Sequence, residues 1–390
     1  MKNVYLDHAS ATPVKKKVLE AMAPYFDHYF GNPSTIYDMG SKVKQVLEEQ
    51  REKVARLINA NSGQIIFTSS GAEANNLAIK GVVFAKQKKG NHIIVSSIEH
   101  HSVLNSARFF ERLDYEVTFL PTDEYGLIDP KRLEDAIRPE TILVSVIHAN
   151  NEIGTIEPIS ELSEICRKNG VIFHTDAVAT VGNIPVDVNE LGVDLLSLSG
   201  VSLGAPKGTG ALYFREKLRL MPLIHGGIQE SGRRGGTENI PGIVGLGKAA
   251  EISSDELSDN VKHTRKLRDM LVKGTVERIK QIKYTGHPDM RLPGHASFCI
   301  KAIEGEALIY MLNSNGIFAN TGSACASKAL KTSPVLVAIG VPADIAQGSI
   351  VFTLNSSNTV KEIAYVLEKL PIAVQKLRDM SPLWRMNKAA

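Results

Sequence analysis

The chain is poor in cysteine. Its 390 residues hold three, Cys166, Cys299 and Cys325, with no paired spacing. That excludes a disulfide framework and fits a reducing compartment, so a cytoplasmic location is expected. No apolar run is as long as a membrane span, and the start, MKNVYLDHASATP, lacks the charged-then-apolar order of a signal peptide. Neither sign of charge is in excess: 45 basic residues stand against 42 acidic ones, a net charge of +3. The charges are spread along the chain, so no basic stripe offers itself to nucleic acid. The single tryptophan, Trp384, lies in the tail SPLWRMNKAA, where it is read as exposed. There it either caps the core or forms a docking site. No repeat or low-complexity tract appears. What is present is ordinary globular material, 43% hydrophobic and 22% charged, at a length that calls for two domains or one large domain with an annex.

Hydrophobic spacing predicts helices over Lys15–Tyr29 and Gly40–Asn59. A strand at Ile65–Thr68 turns through Ser69-Ser70-Gly71-Ala72 into a helix at Glu73–Ala85. Such a turn leaves free backbone N–H groups, a natural cradle for an anion. Strands at His92–Ser97, Glu116–Leu120, Ile142–His148 and Val171–His174 then alternate with helices at His101–Glu111 and Ile159–Lys168. Continuous apolar strands separated by helices imply an α/β fold with a mainly parallel sheet covered on both faces. Ligands of such sheets sit beyond the C-terminal strand ends. That rule gathers His100, Asn150, Asn151, Asp176 and Ser199 at one edge. The glycine-rich loop His225–Asn239 is too long for a plain connector and is expected to be functional or at an interface. A charged helix at about Ser253–Lys280 leads into a second domain. That domain has strands at Ala296–Ile300 and Ser349–Leu354, helices at Gly305–Asn315 and Pro334–Ile339, and a last helix bent by Pro371. The large domain is placed at 15–260 and the small α+β domain at 1–14 and 261–390.

Nine segments occur in a familiar order: YLDHA, GNPST, EANNLAIKG, EH, HANNEIGTI, HTDAV, PKGTGALY, GRRGGTEN and TGSACAS. Together they resemble the cysteine desulfurases of the NifS/IscS type, class V aminotransferase relatives with pyridoxal-phosphate fold type I. The similarity runs from YLDHA to MSPLW. It implies a large domain with a seven-stranded sheet and a smaller α+β domain carrying a cysteine loop. It also implies pyridoxal phosphate as cofactor, with His100 stacking on its ring, Asn151 bonding the phenolic oxygen, Asp176 pairing with the ring nitrogen and Ser199 touching the phosphate. Thr237 would reach the phosphate from a second subunit, and Cys325 would carry sulfur as a persulfide.

Five positions depart from the pattern, all at the chemistry. In the turn DLLSLSGVSLGAPKGTG, Ser202 stands where the resemblance implies the Schiff-base lysine, and Val201 where it implies a histidine. Ala72 replaces a threonine at the phosphate, Ala179 a glutamine at the phenolic oxygen, and Ser356 an arginine that clamps the substrate carboxylate. A hydroxyl forms no stable imine, so covalent attachment is not expected and the cofactor is either held without it or absent. Lys207, in PKG, is the candidate replacement amine, against a plain surface role. Cys325 remains, as persulfide carrier or as metal ligand to a shared iron–sulfur cluster. The expectation is a homodimeric, cytoplasmic, desulfurase-like protein of iron–sulfur cluster assembly, defective in pyridoxal chemistry. Its partners would be an iron–sulfur scaffold protein (IscU-like) and L-cysteine or inorganic sulfide as sulfur source. Two alternatives stand beside it: an active desulfurase that converts L-cysteine to L-alanine with non-covalently held cofactor, and a dimeric platform without catalysis.

Overall fold

The computed structural model describes residues 3–322, 332–382 and 384. Strands are numbered in chain order: β1 Val4–Tyr5, β2 Ile65–Thr68, β3 His92–Ser96, β4 Glu116–Leu120, β5 Thr141–Ser145, β6 Ile172–Asp176, β7 Leu195–Ser199, β8 Gly210–Phe214, β9 Ile282–Tyr284, β10 His295–Ile300, β11 Ile317–Phe318 and β12 Ser349–Thr353. Seven of them form the central sheet, in the order β2-β8-β7-β6-β5-β3-β4. Only β8 runs against its neighbours. β2, β3, β5, β7 and β8 are buried throughout, because their runs of Ile, Leu, Val and Phe face helices on both sides. One apolar layer gathers Val54, Phe173, Leu198 and Leu246; the other gathers Leu77, Val83, Phe110 and Leu212.

The smaller sheet has the order β12-β10-β9 and packs Phe298 and Phe352 against Leu267, Leu271, Leu367 and Leu370. Val4 and Leu6 join this core, and β1 pairs with β11, so the N-terminal segment lies with the C-terminal part of the chain. Its next residues lead back to the main sheet, where Lys15 N donates to Gly204 O at 3.1 Å.

Several boundaries differ from the sequence reading. The expected helix at Lys15–Tyr29 is two, Lys16–Met22 and Pro24–Asp27, because Pro24 has no N–H to continue the first ladder. The connecting helix runs from Ile240 to Arg278, well before Ser253; Asn239 Oδ1 caps it by accepting from Gly242 N at 3.1 Å. Two glycines in its first turns are there for packing. A Cβ on Gly245 would stand 2.7 Å from Met22 Sδ, and one on Gly247 2.8 Å from Gln50 Cβ. The last helix passes through Pro371 from Val360 to Met380, with Val360 exposed and Val366 and Ala373 buried. Trp384 is half-buried rather than exposed, with the Arg378 guanidinium 4.1 Å over its ring. No helix among the described residues is long and apolar enough to cross a membrane.

Candidate functional site

A cavity of about 530 Å³ opens beyond the C-terminal ends of the parallel strands. His100, Asn151, Asp176 and Ser199 all line it, as the strand-end rule predicts. Asp176 ends β6 and is buried. Its Oδ2 accepts from Asn75 Nδ2 at 2.6 Å and its Oδ1 from Val178 N at 3.0 Å. Burial pushes this carboxyl up, while the Val178 N–H, nearby His100 and Asn75 pull it back. Ser199 ends β7, and its Oγ accepts from Val201 N at 3.4 Å, capping a one-turn helix, Gly200–Leu203. The sequence reading had this segment as a plain turn of small residues. His100 caps the helix His101–Glu111; its Nδ1 meets Ser102 Oγ at 2.7 Å and its ring is exposed to the cavity side.

The two asparagines after β5 divide their work. Asn150 is a structural knot: its Oδ1 accepts from Glu152 N and Ile153 N, and its Nδ2 donates to Ile98 O. Asn151 lines the cavity, and its carbonyl meets His295 Nε2 at 3.0 Å. Behind them His148 and His174 are buried and kept neutral, burial holding them down to about 4 and about 3. His174 lies between Ser145 Oγ and Ser197 Oγ at 2.8 and 3.0 Å.

Ala72, Ala179, the adjacent Val201 and Ser202, and Ser356 come from four separate places in the chain, and every one of them lines this same cavity. Ser202 Oγ is already committed, donating to Ser199 O at 3.0 Å. The cavity also takes in residues that sequence reasoning did not single out: Asn75 and Lys15, with His8 and His295. Asn75 lies in the quoted EANN segment, one helical turn beyond Gly71, and that spacing was the available signal. Its Oδ1 is buried and has no partner among the described residues.

Lys207 does not line the cavity. It is exposed, at a turn closed by Gly208 with φ of +84°. Thr237 does not line it either. It borders a second pocket of about 160 Å³ with Glu230 and Arg234. There the loop 225–239 is pinned to the body: Glu230 accepts from Arg51 Nη1 and Nη2 at 2.6 and 2.9 Å and from Phe67 N at 2.9 Å. Glu230 and Ser231 adopt left-handed backbone, φ +47° and +54°, which this buried ion pair holds in place.

Cys325, expected as thiol carrier and metal ligand, lies outside the described residues. Of the other two cysteines, both are buried, and burial pushes the Cys299 thiol up to about 12 and the Cys166 thiol up as well. Neither offers a thiolate near neutrality. No metal-holding group of His, Cys, Asp or Glu occurs among the described residues.

The donor set suits one half of a phosphorylated pyridine aldehyde. The buried Asp176–Asn75 pair suits a protonated ring nitrogen. Ser70, Ser199 and the free N–H groups starting the helix Gly71–Lys86 suit a phosphate. The tether end does not fit, since position 202 offers a hydroxyl where an imine needs an amine.

The family description "Aminotransferase class-V" matches residues 4–366. The chain is 50% identical to "Cysteine desulfurase IscS" of Methanosarcina thermophila, over 98% of this chain and 94% of that one. It is 48% identical to the protein of the same name from Dictyoglomus turgidum, over 99% of each. A solved structure titled "NIFS-LIKE PROTEIN" superposes with a TM-score of 0.90 at 36% identity, covering 96% of this chain and all of that one.

Proposed function

Because the chain belongs to the aminotransferase class-V family, we propose that it is a cysteine desulfurase-like protein of iron–sulfur cluster assembly that no longer carries out tethered pyridoxal chemistry. The observation behind this is the convergence of five uncharged residues, Ala72, Ala179, Val201, Ser202 and Ser356, on one cavity. A hydrogen bond to a charged group contributes roughly 1.5–3 kcal/mol, or roughly ten- to hundredfold in affinity. Losing several together weakens the grip on phosphate and on a substrate carboxylate by orders of magnitude, even without strict additivity. When bound, pyridoxal phosphate supplies an electron sink. His100 would stack on its ring, Asn151 would meet the phenolic oxygen, Asp176 the ring nitrogen and Ser199 the phosphate. Thr237, on its anchored loop away from its own cavity, would serve the cavity of a second copy in a homodimer.

In this reading the working group is Cys325. It relays the outer sulfur of a persulfide donor, whose own thiolate leaves, to an iron–sulfur scaffold protein (IscU-like), or ligates a cluster shared with that protein, in the cytoplasm. Residues 15–260 act as the large domain, and 1–14 with 261–390 as the small domain that carries this thiol.

A second reading is favoured by the high identity to proteins named cysteine desulfurase: an active enzyme that releases sulfur from L-cysteine with non-covalently held cofactor. Following labelled sulfur onto a scaffold protein separates the two. The first reading expects Cys325→Ser to abolish transfer and added pyridoxal phosphate to leave it unchanged. Transfer that requires both L-cysteine and the cofactor refutes the first reading and supports the second. Transfer untouched by C325S removes the thiol from the account.

A further inference from the structure

Asp176, Asn75, Ser102 and His100 form one continuous chain of hydrogen bonds. Asn75 Nδ2 donates to Asp176 Oδ2 at 2.6 Å and to Ser102 Oγ at 2.8 Å, and Ser102 Oγ meets His100 Nδ1 at 2.7 Å. Three elements supply these residues: β6, the helix Gly71–Lys86 and the start of the helix His101–Glu111. Asp176 and Asn75 are buried and His100 is exposed, and all three line the cavity. Ser102 is half-buried and does not.

The direction of each bond follows from the one before it. A carboxylate only accepts, and Val178 N already donates to Asp176 Oδ1 at 3.0 Å. Oδ2 therefore needs a donor of its own, which turns the Asn75 amide so that its NH2 group faces Asp176 and Ser102. Ser102 Oγ accepts from that group, so its own proton is left for its other neighbour, His100 Nδ1. Ser102 N donates to the same Nδ1 at 3.2 Å. A ring nitrogen that accepts is the bare one, so the neutral imidazole keeps its proton on Nε2. Nε2 has no hydrogen-bond partner among the described residues.

We propose that Asn75 and Ser102 are positioning residues that relay the acceptor character of Asp176 to His100, holding its ring with Nε2–H as a free donor for what the cavity binds. The relay consists of this chain's own side chains and needs no ligand. It couples two parts of the cavity wall, so that a change at Asp176 is registered at the His100 ring.

The test reads the His100 tautomer from ring nitrogen-15 shifts of the full chain labelled in histidine, at mildly alkaline pH, where free imidazole is neutral. The His100 signals are those lost in His100→Gln. The wild-type protein should show Nε2 protonated and Nδ1 bare. Asp176→Asn keeps the shape of the side chain but puts an NH2 group where Oδ2 was. The Asn75 amide then turns to accept, the Ser102 hydroxyl proton follows it, and an oxygen lone pair faces Nδ1. The Nδ1–H form should rise roughly tenfold, although no hydrogen bond joins position 176 to His100 directly. Ser102→Ala should raise it to a similar extent, and Ser102→Thr should keep the wild-type signals. Circular dichroism shows which variants are folded. A wild-type ring protonated at Nδ1 overturns the proposal. So does a folded Asp176→Asn that keeps the wild-type tautomer, because a plain helix cap made by Ser102 N would survive that change. Should Asp176→Asn not fold, Ser102→Ala decides: an unchanged tautomer overturns the relay, and a shifted one that threonine prevents supports it.

Discussion

The two ends of the cavity are built from different kinds of residue. At the Asp176 end the polar groups sit on or just beyond strands, and they also hold the fold. His148 N donates to Asp176 O at 2.9 Å, Glu157 N to His148 O at 2.9 Å, and His148 Nδ1 meets Thr180 Oγ1 at 3.0 Å. Losing the Asp176 carboxylate would leave Asn75 Nδ2 short of a buried acceptor. At the Ser202 end the residues come from helix starts, a turn and a loop, half-buried or exposed, with little else depending on them. All five of these positions lie outside the strands. The contrast separates what the fold requires from what the chemistry requires, because polar groups buried at strand ends are costly to lose and those on helix starts and loops are not.

The contrast can be broken or sharpened in three ways. The largest effect is expected at Glu157, which backs the retained end. Its Oε2 accepts from Ile128 N at 3.0 Å and its Oε1 has no partner among the described residues. Burial pushes this carboxyl up to about 8, against a smaller pull from the Ile128 N–H. With a folded value above the unfolded one, the stabilisation is complete below the unfolded value and is lost as pH rises through 8. Between pH 5 and 8 this amounts to about 3 kcal/mol. Glu157→Gln should remove that part of the slope in urea unfolding measured across this range; an unchanged slope would mean that the buried end is not held as described.

The next effect is a gain. Ser202→Lys returns an amine to the tether end, so retained pyridoxal phosphate should become fixable by borohydride at position 202. Its apparent affinity should rise about a hundredfold. No gain would show that the other four replacements, not the missing amine, limit binding. The smallest effect sharpens the comparison directly. Asp176→Ala should cost roughly 1–3 kcal/mol of stability through its orphaned partners, whereas Ser202→Ala should stay within about 0.5 kcal/mol, both by denaturant unfolding. Equal costs would erase the difference between the ends.

Much of this was legible in the sequence. Apolar strand runs separated by helices gave the mainly parallel sheet, and the strand-end rule brought His100, Asn151, Asp176 and Ser199 into one cavity. Other parts were hidden for physical reasons. The start of the connecting helix at Ile240 was hidden because the use of Gly245 and Gly247 is tertiary, allowing close approach to Met22 and Gln50. Lys207 drew attention by its nearness in sequence to Ser202, but a glycine turn sets it on the surface. Lys15 is 187 positions before Ser202 in the numbering (202 minus 15) and meets the same helix only through the fold. Asn75 was visible as part of a segment, but not as the partner of Asp176. The Cys325 loop rests on the sequence alone.

The central claim is that the ring-holding end survives while the desulfurase reaction does not. Alanine counted per chain tests it most directly, after anaerobic incubation of the wild-type protein with excess L-cysteine and pyridoxal phosphate. The account predicts no more alanine than in a protein-free control with the same cofactor. Many alanines per chain, formed only when the cofactor is added, would contradict it.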